Sequence, residues 1–173
     1  MKVLGIAGWS GSGKTTLVTK LLPLLVSRGL KVSTVKHAHH DFDIDQPGKD
    51  SWRHRQAGAS EVLISSALRF ALIHEHRGGA EPDLQELLGR MSPADIVLVE
   101  GFKRERHPKI EVWRPVVGKP LLAANDPHII AVATSNPRQG LPHKLDIPLL
   151  DLDDVPAVAE FVVAHAMVLA ELP

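Results

Sequence analysis

Gly8-Trp9-Ser10-Gly11-Ser12-Gly13-Lys14-Thr15 has the spacing G-x-x-x-x-G-K-[ST] and directly follows the apolar run Val3-Leu4-Gly5-Ile6-Ala7. Glycines at these positions let the backbone curl until successive N–H groups converge on phosphate oxygens. Lys14 adds a mobile positive charge, and Thr15 adds a hydroxyl for magnesium. Leu17, Val18, Leu21, Leu22, Leu24 and Leu25 then recur at near-helical spacing. The loop therefore opens a helix, whose N-terminus favours anions. This is the chemistry of a P-loop gripping a nucleoside triphosphate, with Ser10, Gly11, Ser12, Gly13, Lys14, Thr15 and Thr16 as the phosphate-holding set.

A P-loop needs an acid to organise magnesium, and parallel strands deliver ligand-facing residues at their C-terminal ends. Glu100 closes the apolar strand Asp95-Ile96-Val97-Leu98-Val99-Glu100 and takes that role; Asp95 stands at the opposite end. The other strand ends offer Lys36 with His37, and Thr134-Ser135-Asn136. Lys36-His37-Ala38-His39-His40-Asp41-Phe42-Asp43-Ile44-Asp45 packs three histidines and three carboxylates into ten residues. Three readings compete for it: a magnesium-facing switch loop, a transition-metal site through His37, His39 and His40, or a solvated loop. In the first, Asp43 contacts magnesium or the attacking water. Two basic clusters, Lys49, Arg53, His54 and Arg55, then Lys103, Arg104, Arg106, His107 and Lys109, either hold an anion or stay solvated. Trp9 either covers a ligand or packs on the helix.

The elements that position these groups follow from hydrophobic pattern. After the first helix, Gly29 reads as its C-terminal cap and Pro23 as a kink. Lys31 to Lys36 is a strand, Asp50 to Gln56 a short helix, and Glu61 to His74 two short strands. Pro82 to Met91 places Leu84, Leu87, Leu88 and Met91 on one helical face. Ile110 to Trp113, Ile129 to Thr134 and Ile147 to Leu150 complete the strands, with Pro148 disfavouring a central place for the last. The final helix is expected from Asp154 to Leu169, capped by Asp153 or Asp154. Continuous apolar strands alternating with helices imply an α/β fold of the P-loop NTPase type: a mostly parallel sheet, helices on both faces, and a short added hairpin. Residues 1–173 read as one nucleotide-binding domain.

Composition narrows the partners. Twenty Lys and Arg balance twenty Asp and Glu, so there is no overall field to draw in nucleic acid or a membrane surface. Three tryptophans, four phenylalanines and no tyrosine give no base-stacking platform. The absence of cysteine removes disulfides and thiolate metal sites and suits a reducing cytoplasm. The first apolar run is too short for a signal peptide or a membrane span.

Taken together, the P-loop from Gly8 to Thr16, the run from Lys36 to Ser51, Arg53-His54, Ala57-Gly58-Ala59 and Val99-Glu100-Gly101-Phe102-Lys103 resemble the molybdopterin-guanine dinucleotide biosynthesis protein B family. The resemblance covers roughly the first two-thirds of the chain. It implies a GTP-binding protein with weak magnesium-dependent GTPase activity, an adaptor that assists attachment of GMP to molybdopterin beside a separate molybdopterin guanylyltransferase. It also implies a homodimer extended by the mid-chain strands, and it leaves open whether molybdopterin itself is bound. GTP and Mg2+ are the implied cofactors. Guanine preference comes from the resemblance alone, because no Lys-x-Asp follows Thr134-Ser135-Asn136. Trp9 and Ser10 stand where nucleotide-sandwiched ATPase dimers carry an extra lysine.

Two other functions fit parts of the pattern. A small-molecule kinase would use Asp43 as general base, and a nickel-delivery GTPase would use His37, His39 and His40. All three readings share Lys14, so Lys14→Ala should abolish nucleotide binding in a calorimetric titration, and unchanged affinity would refute the P-loop assignment.

Overall fold

The P-loop strand lies at the centre of a mostly parallel sheet. The computed structural model describes residues 1–38, 42–137, 141 and 146–172. These form two compact units, one of Met1–His37 with Leu88–Pro173, the other of Ala38–Leu87.

In the first unit, β1 (Lys2–Ala7) leads through the loop into α1 (Lys14–Ser27) and β2 (Val32–Lys36). After the second unit come β5 (Ile96–Glu100), β6 (Lys109–Val112), β7 (Ile129–Thr134), β8 (Leu149–Asp151), α4 (Val155–His165) and β9 (Met167–Val168). The strand order is β2-β5-β1-β6-β7-β8, all parallel, with β9 antiparallel beside β1 as the seventh strand. Side chains alternate across a strand, so Leu4, Ile6, Ile96, Leu98, Ile110 and Val112 share one face. Leu17, Leu21 and Leu25 of α1 and Val158, Ala159 and Val162 of α4 cover that face. Each large apolar side chain removed from water there contributes about 1.5–3 kcal/mol.

Several helix ends follow their local sequence. Gly29 adopts φ 80° and, with Leu30, returns hydrogen bonds to Val26 and Leu25, which closes α1. Helix α1 runs through Pro23 as a single element. Pro148 precedes the edge strand β8 and accepts from the Val132 N–H. The last helix ends at His165, short of the expected Leu169. Ala166 turns extended, and Met167 and Val168 pair with Val3 and Lys2. Apolar spacing continues past the helix end without a breaker, so periodicity alone does not reveal the change.

The second unit holds α2 (Asp50–Gln56) and the antiparallel hairpin β3 (Glu61–Ser65) with β4 (Phe70–His74). Helix α3 (Leu84–Gly89) begins within it and is shorter than the expected Pro82 to Met91. Asp83 and Glu86 form a reciprocal cap, each carboxylate accepting the other's backbone N–H at 2.8 and 3.2 Å. Among the described residues, no helix is long and apolar enough to cross a membrane.

The sheet face opposite α1 and α4 is polar beneath β1 and β6. Lys109 and Glu111 of β6 are fully buried there, and so is His107, whose ring lies where a side chain at Gly5 would have to be. Burial, reinforced by the charge of Lys109, pushes the His107 imidazole down to about 4. Neither ring nitrogen has a hydrogen-bond partner among the described residues. A histidine kept neutral by folding contributes stability above its unfolded value, near 6.5, and loses it as pH falls toward the folded value. Denaturant unfolding should therefore show a loss of roughly 3 kcal/mol between about pH 6.5 and 4. His107→Gln should flatten that slope; an equal slope in both proteins would contradict the assignment.

Candidate functional site

Three backbone conformations that side chains rarely adopt make the P-loop. Gly8, Gly11 and Gly13 have φ of 141°, 78° and 100°. A Cβ at Gly8 would also sit 2.5 Å from the Val112 carbonyl oxygen. The Ser12 N–H closes the loop on the Trp9 carbonyl at 3.1 Å, and Lys14 Nζ folds back onto the same oxygen at 2.9 Å. Helix α1 starts with no side-chain cap and no acidic residue in its first turn. Its leading N–H groups are therefore available to an anion, as an α-helix start always leaves them.

Strand register fixes the acid. Glu100 stands level with Ile6 of β1 on one side and Lys36 of β2 on the other. Its Oε1 accepts the Thr15 hydroxyl at 2.7 Å and lies 3.7 Å from Lys36 Nζ. The chain then turns sharply. Gly101 has φ 97°, and a Cβ there would meet the His37 Cβ at 2.9 Å. Phe102 follows at φ 46° and packs against the His37 ring, centroids 4.9 Å apart. The Glu-Gly-Phe run is thus a tight corner that aims the carboxylate at the loop. A hydroxyl and a carboxylate 2.7 Å apart form a hard-oxygen set that fits Mg2+, which takes few protein ligands and retains water.

The surroundings are electropositive. Burial and the Lys103 charge hold the Lys14 ammonium below the usual lysine value, with Glu100 opposing and Lys36 adding to the effect. A bound phosphate would offset that repulsion. Arg114, which no sequence motif marks, donates from Nε to the Ser12 carbonyl at 3.0 Å. It lies two residues beyond the end of β6, and strand-end position was the signal that could have found it. Trp9 packs toward the 119–126 segment: its indole N–H donates to Pro120 O at 2.8 Å, and Lys103 Nζ lies 4.8 Å from the ring centroid.

The second basic cluster divides. Lys103 flanks the loop, whereas His107 and Lys109 are buried in the sheet and are not an anion grip on the surface. Asp126 and backbone carbonyls satisfy the Lys109 ammonium instead.

Asp43 belongs to the second unit. There Arg55 pairs with Asp43, with buried Asp45 at 2.6 Å and with Glu75 at 2.7 Å. The hydrogen bond from Arg55 holds the Asp45 carboxyl below the usual carboxylate range. Arg55 is therefore committed to three carboxylates within its own unit. Of the histidine run, His37 is placed against Phe102, while His39, His40 and Asp41 lie outside the described residues.

The family model described as Molybdopterin guanine dinucleotide synthesis protein B matches residues 3–135. The molybdopterin-guanine dinucleotide biosynthesis adapter protein of Escherichia coli (strain K12) is 46% identical over 164 residues, covering 93% of this chain and 91% of that protein. Its counterpart in Haemophilus influenzae is 42% identical over 160 residues, covering 92% and 86%. A crystal structure of molybdopterin-guanine biosynthesis protein B superposes with a TM-score of 0.71 at 31% identity, covering 94% of this chain and 98% of that one. The chain belongs to the molybdopterin-guanine dinucleotide biosynthesis protein B family.

Proposed function

We propose that this chain is a GTP-binding adaptor with weak GTPase activity that assists a molybdopterin guanylyltransferase in attaching GMP to molybdopterin. The observation that carries the reading is the Thr15–Glu100 contact beside an uncapped helix start and the Lys14 ammonium. Ser10 to Thr16 wrap the phosphates with backbone N–H groups, and Lys14 swings from the Trp9 carbonyl to the β- and γ-phosphates. Thr15 and Glu100 would hold magnesium, which would supply charge neutralisation at the phosphates. Arg114 steadies the loop through Ser12 and adds positive charge beside it.

Hydrolysis is attack of water on the γ-phosphorus, with the bond to the β–γ bridging oxygen breaking and GDP leaving. Glu100 is engaged by Thr15 and Lys36, which suits an organiser better than a general base. Asp43 is the proposed contact for magnesium or the water, and it must exchange its Arg55 partner to serve. Slow turnover follows from both arrangements. Guanine preference and the adaptor role rest on the family, whose relatives are named as adapter proteins. We further propose a cytoplasmic homodimer joined through the β3–β4 hairpin, where Leu63, Phe70 and Leu72 are exposed.

Glu100→Gln keeps the shape and removes the charge. It should lower magnesium-dependent GTP turnover about 10- to 100-fold, the range typical of groups that orient a metal site, and change GTP affinity much less. Turnover equal to the wild type would remove Glu100 from the mechanism. In the same assay GTP should bind more tightly than ATP, and transfer of the γ-phosphate to a metabolite would favour a kinase instead.

A further inference from the structure

Beside the P-loop, within the first unit, lies a cavity of about 250 Å3 bordered by Ala7, Trp9, Lys103, Leu122, Asn125 and Asp126. It is smaller than the ~300–1,000 Å3 of pockets that hold drug-sized ligands, a size for one fused ring system and not for a whole nucleotide. The P-loop meanwhile accounts for a nucleotide's phosphates. A single flat ring system is therefore the occupant that the size allows.

The walls are built from irregular chain, and buried charges hold them in place. Glu111 accepts the Leu122 and Ala123 N–H groups at 2.9 and 2.8 Å. The ammonium of Lys109 reaches Asp126 at 2.9 Å, Lys103 O at 3.2 Å and Glu105 O at 2.5 Å. One buried cation thus ties the Lys103 wall to the Asp126 wall. Taking charges out of water costs several kcal/mol per ion before pairing offsets it. Here that cost fixes the two loop segments that frame the cavity, which is how a preorganised site is held.

The lining selects a chemistry. Trp9 presents a flat face, kept in place by its bond to Pro120. Lys103 and Lys119 stand 4.8 and 5.8 Å from its ring centroid, where they can meet an anionic substituent. Asn125 brings a carboxamide, which can both accept from and donate to an amino-oxo ring edge. Ala7 and Trp9, at the start of the P-loop, border the cavity directly.

We infer that this cavity is a second ligand site, taking a flat pterin-type heterocycle with an anionic substituent while the P-loop holds GTP. The inference rests on the nucleotide reading of the P-loop and adds that the adaptor carries the acceptor's ring itself. Stacking on Trp9 moves the Lys103 ammonium from the indole face to the ligand's anionic group, next to the γ-phosphate.

Fluorescent pterin-6-carboxylate, titrated into protein saturated with a non-hydrolysable GTP analogue and magnesium, tests this by anisotropy. Saturable one-to-one binding is expected, weakened at least about tenfold (1.4 kcal/mol) by Trp9→Leu and by Asn125→Trp, which blocks the rim. Titrating the GTP analogue into the same variants monitors the P-loop separately and reports that each variant is folded. Failure of the analogue to bind wild type would strike the nucleotide reading, whereas loss of pterin binding alone strikes the second site. The inference is overturned if pterin-6-carboxylate does not saturate, if neither variant weakens it, or if guanosine monophosphate displaces it equally well.

Discussion

The hydrogen bond from the Thr15 hydroxyl to the Glu100 carboxylate joins the two halves of the proposed nucleotide site, and most of the fold serves to make it. It needs β1 and β5 parallel and in register, so that both strands end at the same level. It needs α1 to begin as soon as β1 ends, which only a glycine-rich loop permits. It also needs the chain to leave Glu100 at once, which Gly101 does at φ 97°. The leucine face of α1 contributes by fixing the helix against the sheet, so that the position of Thr15 is set by core packing and not by the loop alone.

A different logic governs the opposite side of β6. Its outward-alternating positions are Lys109 and Glu111, and both are buried with partners supplied by loops. Apolar residues at these two positions would fill the same space without holding any particular loop conformation. The charged pair specifies where residues 103–105 and 122–126 lie, and Trp9 is attached to that framework through Pro120. The glycine-rich loop and the neighbouring cavity therefore meet at Trp9.

Much of the first unit was legible because local chemistry and global fold agree there. The P-loop spacing, Gly29 as the α1 cap and the parallel direction of the apolar strands all follow from turn residues and hydrophobic period. What escaped were long-range effects. Arg114 touches Ser12 only because β6 lies beside β1 in space. Lys109 and His107 look like part of a solvated basic run, and no local signal marks them as buried. Strand β9 hides in a continuous apolar stretch, since its structure depends on a partner strand more than 160 positions earlier in the chain. Glu100 was found from its place at a strand end, while the turn that aims it became visible only in three dimensions.

GTP held in this P-loop is proposed to serve another enzyme's chemistry. The most direct measurement is the rate of molybdopterin guanine dinucleotide formation by a purified guanylyltransferase at limiting GTP, with wild-type chain, with the Lys14→Ala variant, and with neither. Faster formation with wild type and no gain with the variant are expected. Equal rates in all three reactions would contradict the proposal.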